Sequence, residues 1–395
     1  MYSLRKFLAA GVAAAAALAA PLVAHPAASA QDGEGTCKVK EDPSWSGWTS
    51  HAQLGRALQR LERTSHGRVQ VNVAGYSNQG REIWTARVGH GERVMLVTSA
   101  IHGNERAGTE ALLDLLKDLG KGTEPSDQRI LDGVTLVAVP MMNPDGGELN
   151  RRASVMSWND VVAQFPQLSG AQPAWYFYED ADPTGFDVNR DFNPNLDYVP
   201  QPTDLPGTVT EPGFFLTPEA RTVRDVYVNL RQEFGEVDAY VDLHHMGPCD
   251  QVEGEGDYVS LELDYPPLGP NPYEKYAEWP QLDQDKSRRF ALAIYNGIRQ
   301  KYGDSSPQAT VARYFHPDWR DIPGQARSSF GLNGSGSVLF EIRGQSDHWG
   351  QKMKGMLTGM VETGVRALAE GLATGSVKHL DGDDFFQIPD AGWED

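Results

Sequence analysis

His102 and Glu105 stand three residues apart in Ser99-Ala-Ile-His-Gly-Asn-Glu-Arg106. The apolar run 94–98 before them reads as a buried strand and 107–119 after them as a helix, so both lie on the turn that leaves a strand. An imidazole and a carboxylate placed there can reach one metal ion. A third ligand from elsewhere would complete a hydrolytic zinc site. Such a pair is weak by itself, because it recurs by chance on solvated turns. It gains weight from three further polar clusters at the ends of three other apolar runs. These are Met142-Asn-Pro-Asp-Gly146, followed by Arg151 and Arg152; His244-His245; and Glu341 with Arg343. A fifth run, Phe186-Asp-Val-Asn-Arg-Asp-Phe192, supplies Asn189 and Arg190.

These residue types support one coherent chemistry. Two neutral imidazoles and a carboxylate leave a fourth zinc position for water, whose pKa the ion lowers towards neutrality. A further carboxylate must take the water's proton and hand it to a leaving nitrogen. A cation must face the oxyanion that develops on the attacked carbonyl. An arginine fork is the natural clamp for a terminal carboxylate.

Several elements have to position these groups. Apolar runs predict strands over 69–75, 82–88, 93–98, 134–139, 239–243 and 337–342, and amphipathic spacing predicts helices over 51–64, 107–119, 218–234, 283–302 and 352–372. Strands alternating with helices imply an α/β fold: a single catalytic domain with a mixed, mostly parallel twisted sheet flanked by helices on both faces. In such sheets ligands bind beyond the carboxyl ends of the strands, where each cluster falls. Two irregular stretches, 150–185 and 247–280, read as functional rims.

The bulk properties narrow the setting. With 395 residues, 40% of them hydrophobic, the chain can bury a large core. Arg5 and Lys6, the apolar run 7–24 and Ala28-Ser-Ala30 read as a secretory signal over 1–30, giving a secreted, extracellular protein with no membrane association after its removal. Residues 31–50 form a lead-in and 51–375 the catalytic domain. An acidic, Gly-containing tail over 376–395 is expected to be loosely held. The net charge of −19 argues against nucleic acid as a partner. Cys37 and Cys249 are the only cysteines, a candidate disulfide in an exported protein.

The set His102-Gly-Asn-Glu105, Asn143-Pro-Asp-Gly146, Asp187-Val-Asn-Arg190, Asp242-Leu-His244 and Phe340-Glu-Ile-Arg343 resembles the zinc metallocarboxypeptidase family, of which carboxypeptidase A is the familiar member. The resemblance implies one Zn2+ per chain held by His102, Glu105 and His244, with His245 a neighbour that orients or packs. It implies Glu341 as general base, and Asn189 and Arg190 as the grip on the substrate's terminal carboxylate. For the oxyanion arginine both Arg151 and Arg152 fit the position, and Arg152 is preferred. The family's best-known members carry a tyrosine some twenty residues before the base. Here that region is His316-Pro-Asp-Trp-Arg-Asp-Ile-Pro323, with Tyr314 too early, so the tyrosine stays unassigned. The implied activity is that of a monomeric peptidase acting on peptides with a free C-terminal carboxylate. A related amide hydrolase acting on N-acyl amino acids or cell-wall peptides is the alternative, and a peptide-binding pseudoenzyme the third reading. Asp250, Glu253, Glu255, Asp257, Glu262 and Asp264 would favour basic terminal residues if one faced the pocket, but an acidic surface is the preferred reading.

Overall fold

Arg93–Ser99, Val134–Val139, Ala239–Met246 and Gly336–Arg343 are buried almost along their whole length. Strands covered on both faces belong at the centre of a parallel sheet, and these four lie side by side there. The computed structural model describes residues 47–314, 321–344 and 350–392, all within the unit Val39–Asp395. The signal and Cys37 lie outside the described residues, as do 315–320.

Among the described residues the large sheet has eight strands: β1 (Gln70–Tyr76), β2 (Glu82–Val88), β3 (Arg93–Ser99), β4 (Val134–Val139), β5 (Ala239–Met246), β6 (Leu261–Asp264), β7 (Val311–Arg313) and β8 (Gly336–Arg343). Their spatial order is β1-β2-β4-β3-β5-β8-β6-β7. The inner four run parallel, β1 and β2 continue the sheet antiparallel on one side, and β6 joins β8 antiparallel on the other. The helices packed on it are α1 (His51–Thr64), α2 (Ala107–Lys121), α3 (Pro125–Gly133), α4 (Pro218–Phe234), α5 (Gln284–Tyr302), α6 (Ala326–Leu332) and α7 (Gly350–Thr374).

Alternation along the strands divides the core in two. Met95, Val97, Val241, Leu243 and Phe340 face Leu58 of α1, Leu115 of α2, Ile294 of α5 and Val361 of α7. Val94, Leu96 and Tyr240 face Val223 and Tyr227 of α4 and Phe330 of α6. A third aromatic cluster, including Tyr176, Phe186 and Phe214, gives the irregular stretch 150–185 a core of its own.

Three expectations need correction. The segment 247–280 is not without structure, since it contains β6 and the short strand Gln251–Val252. The tail is not loose over its described part: Val377, Phe385, Ile388 and Ala391 are buried, and Ala391–Gly392 pairs with Gln251–Val252. The acidic segment is not uniformly a surface either. Glu253, Glu255 and Asp257 are exposed, whereas Asp250, Glu262 and Asp264 are buried.

Candidate active site

At the end of β3 the chain turns through Ala100 at φ 54°, a left-handed conformation rare for a residue with a Cβ. That turn sends His102 and Glu105 across the sheet's carboxyl edge instead of straight on into α2. The loop lies against the short helix Pro144–Leu149 so closely that a Cβ on Gly103 would stand 2.1 Å from the carbonyl carbon of Gly146. Asn143 holds the two together. Its Oδ1 accepts from Gly146 N at 2.9 Å, and its Nδ2 donates to Ile101 O at 3.2 Å and Arg152 O at 3.4 Å. Asp145, fully buried, pairs with Arg81 and accepts from Ser77 Oγ at 2.7 Å. Asn143-Pro-Asp-Gly146 is thus a scaffold under the His102 loop.

β5 runs parallel to β3 and delivers His244 to the same edge. His102, Glu105 and His244 are all buried, and one donor atom from each lies within 4.8 Å of the others. His102 Nδ1 is 2.8 Å from Glu105 Oε1, His244 Nδ1 is 2.9 Å from Glu105 Oε2, and the two Nδ1 atoms are 3.2 Å apart. Each outer nitrogen has a carboxylate beside it: His102 Nε2 lies 3.2 Å from Asp187 Oδ1, and His244 Nε2 lies 3.0 Å from Asp242 Oδ2. The Asp187 carboxylate beside His102 Nε2 favours the proton there and leaves the Nδ1 lone pair towards Glu105 and His244, the arrangement found around histidines that ligate metals. Two imidazoles and one carboxylate converging in this way fit a zinc ion.

Burial alone would raise the Glu105 pKa, but His102 and His244 hold it well below the usual range. Burial would lower that of His244, but Asp242 and Glu105 raise it well above. His245 points elsewhere: its Nε2 accepts from Ala107 N at 3.0 Å, at the start of α2, and burial lowers its pKa to about 4, so it is neutral.

β8 lies parallel beside β5 with Glu341 opposite His244. Glu341 is buried, its Oε2 has no hydrogen-bond partner among the described residues, and burial raises its pKa to about 7 against the lowering effect of His244. Arg343, two residues on, donates from Nε to Pro248 O at 2.8 Å and lies over the Tyr258 ring. Of the two arginines, Arg152 stands at the cluster, with Nη2 2.9 Å from Asp187 Oδ2 and Nη1 3.8 Å from Glu105 Oε1. Arg151 instead donates to Pro183 O. Asn189 Nδ2 is 3.2 Å from His244 Nε2, and its Oδ1 accepts from Ala326 N at 3.1 Å, which places Asn189 between His244 and the start of α6. Arg190 is half-buried and donates to Asn189 O at 2.8 Å.

Three residues around the cluster had no role assigned from the sequence: Asp187, Arg327 and the Asp242 beside His244 Nε2. Asp187 touches His102, Arg152, the backbone N–H of Asn189 and the hydroxyl of Tyr178. Burial would raise its pKa, yet Arg190, Arg152 and His102 hold it well below the usual range. Its place two residues before Asn189 was the available signal. Arg327, on α6, gave none in sequence. It is buried beside Asp264, with Nη1 3.6 Å from Oδ2.

Comparison with known proteins agrees with this geometry. Residues 54–249 match the family model described as zinc carboxypeptidase, and the chain belongs to that family. A zinc carboxypeptidase of Saccharothrix mutabilis subsp. capreolus is 29% identical over 125 residues, 29% of each chain. A carboxypeptidase E of Caenorhabditis elegans is 28% identical over 170 residues, 40% of this chain and 32% of that one. The matches therefore span under a third of these relatives' lengths. In fold, the chain is similar to bovine thrombin-activatable fibrinolysis inhibitor, solved with a tick carboxypeptidase inhibitor. The TM-score is 0.56 at 13% identity, over 83% of this chain and 98% of that one. Among the described residues, no helix is long and apolar enough to cross a membrane.

Proposed function

We propose that this chain is an exported, monomeric zinc exopeptidase that hydrolyses the C-terminal peptide bond of peptides with a free terminal carboxylate. The observation that carries the reading is the convergence of the His102, Glu105 and His244 donor atoms beside the buried, incompletely paired carboxyl of Glu341. When bound to those three residues, one zinc ion supplies an activated water and polarises the scissile carbonyl.

The other steps belong to the chain. Glu341, one strand over from His244, takes the proton of the attacking water and passes it to the leaving amine. Its buried setting keeps its proton affinity high enough for both transfers. Arg152, fixed through Asp187, faces the charge that develops on the carbonyl oxygen. Arg190 clamps the substrate's terminal carboxylate through its planar fork, and Asn189 holds that dipeptide in place by its contacts with His244 and Ala326.

Glu341→Gln tests this directly. The variant is expected to lose at least about a hundredfold in kcat while zinc content stays near one ion per chain. Full activity in that variant would show that another group is the base. N-acyl amino acids and cell-wall peptides run beside ordinary peptides would show by the position of cleavage which amide the enzyme takes.

A further inference from the structure

One buried group beside the site has no partner in the reaction so far. Glu262 lies on β6, and its Cα is directly opposite that of Glu341 in the antiparallel β6–β8 pair. Directly opposed residues project from the same face of a sheet, and the parallel β5–β8 register sets His244 against Glu341. A single row therefore crosses three strands: His244, Glu341, Glu262. Glu262 is fully buried, and among the described residues neither carboxyl oxygen has a hydrogen-bond partner. Its neighbour on that face, Asp264, is matched by Arg327 at 3.6 Å, and Arg327 also donates from Nε to Gln325 Oε1 at 2.9 Å. The charges that bear on Glu262 are carboxylates, Asp250, Glu341 and Asp264, and with burial they push its pKa well above the ordinary range.

Buried polar groups in folded proteins are nearly always paired. An isolated buried carboxyl is among the costliest groups to leave unmatched, and a cation is its strongest partner. Position decides where that cation comes from. Glu341 delivers the proton to the leaving amine, so the leaving residue lies on the Glu341 side of the metal ligands. One strand spacing further, about 5 Å, is Glu262. We infer that Glu262 determines specificity for the terminal residue and selects a side chain that ends in a cationic group, an ammonium or a guanidinium. This inference rests on reading the site as a carboxypeptidase, and it adds the class of residue that is removed.

The test uses the full zinc-loaded protein and N-blocked dipeptides ending in Lys, Arg, Leu or Glu. The expected kcat/KM for Lys and Arg exceeds that for Leu by about tenfold or more. Glu262→Gln, which keeps the shape and removes the carboxyl that a cation would ionise, is expected to collapse the Lys-to-Leu ratio by about the same factor. A wild-type ratio at or below one overturns the inference, as does a ratio that Glu262→Gln leaves unchanged. Cleavage of none of the peptides would instead count against the carboxypeptidase reading. Calorimetric titration with acetyl-lysine and with acetyl-norleucine, which lacks the ammonium, then decides on Glu262. Tighter binding of acetyl-lysine that disappears in Glu262→Gln supports the selection of a cation, and equal affinities overturn it.

Discussion

Asp187 joins His102, Arg152 and the backbone of Asn189 through one carboxylate: it fixes the outer nitrogen of the histidine, pairs with the arginine and accepts from the Asn189 N–H. That carboxylate therefore sets the orientation of His102, of Arg152 and of the Asn189-Arg190 dipeptide. Asp187→Asn keeps the size and removes the charge. It is expected to weaken zinc retention by about ten- to a hundredfold, read by competition with a chelator. Unchanged retention would show that His102 is oriented by packing alone. This role was only partly legible in the sequence. Asp187 could be seen to flank Asn-Arg, but its contact with His102 spans 85 residues of chain, and local spacing carries no information at that distance.

The loop after β3 and the short helix Pro144–Leu149 work as one unit, because Gly103 lets their backbones touch. Gly103→Ala is expected to destabilise the protein by more than the usual overpacking cost of about 1–3 kcal/mol, since the new Cβ meets backbone that cannot rotate away. Thermal unfolding measures this, and zinc affinity should fall with it. A variant as stable as the parent would mean that the loop can shift at no cost. Elements with continuous apolar runs were readable in advance: β2, β4, α1 and α4 have the ends expected from sequence. The strand β6 was not, and the reason is physical. Leu261-Glu-Leu-Asp264 alternates as an edge strand with a wet face would, but its polar residues face inward beside Glu341. Binary patterning assumes that carboxylates point to water, and the buried row of Glu341 and Glu262 breaks that assumption.

The molecule as a whole carries opposing pH dependences. Glu219, fully buried at the start of α4, has its pKa raised by burial from 4.5 to about 8. The folded chain holds this proton where the unfolded chain has released it. Stability is therefore lost as pH climbs from about 4.5 to about 8, on the order of 1.4 kcal/mol per pH unit. Glu219→Gln is expected to flatten this decline, raising the melting temperature at pH 8.5 relative to the parent and changing it little at pH 5. A parallel decline in both proteins would exclude Glu219 as the source. Glu105 and Asp187 act in the other direction. Their pKa values are depressed in the fold, so the stability they add is present above the ordinary carboxylate range and lost as acid protonates them. The metal-free protein is accordingly expected to be most stable in mildly acidic solution.

The amino-acid sequence alone determined the α/β class, the central strands and the ends at which the polar clusters sit, because those follow from local periodicity and from the placing of polar groups after apolar runs. It also singled out His102, Glu105, His244 and Glu341, through ordered motifs on strand ends. Tertiary structure decided everything that depends on which strands lie side by side. That includes Arg152 over Arg151 beside the cluster, His245 on the backbone of α2, Asp187 and Asp242 behind the imidazoles, and Glu262 next to Glu341. Neighbours in this sheet come from segments far apart in the chain, and their pairing is set by the packing of the whole core.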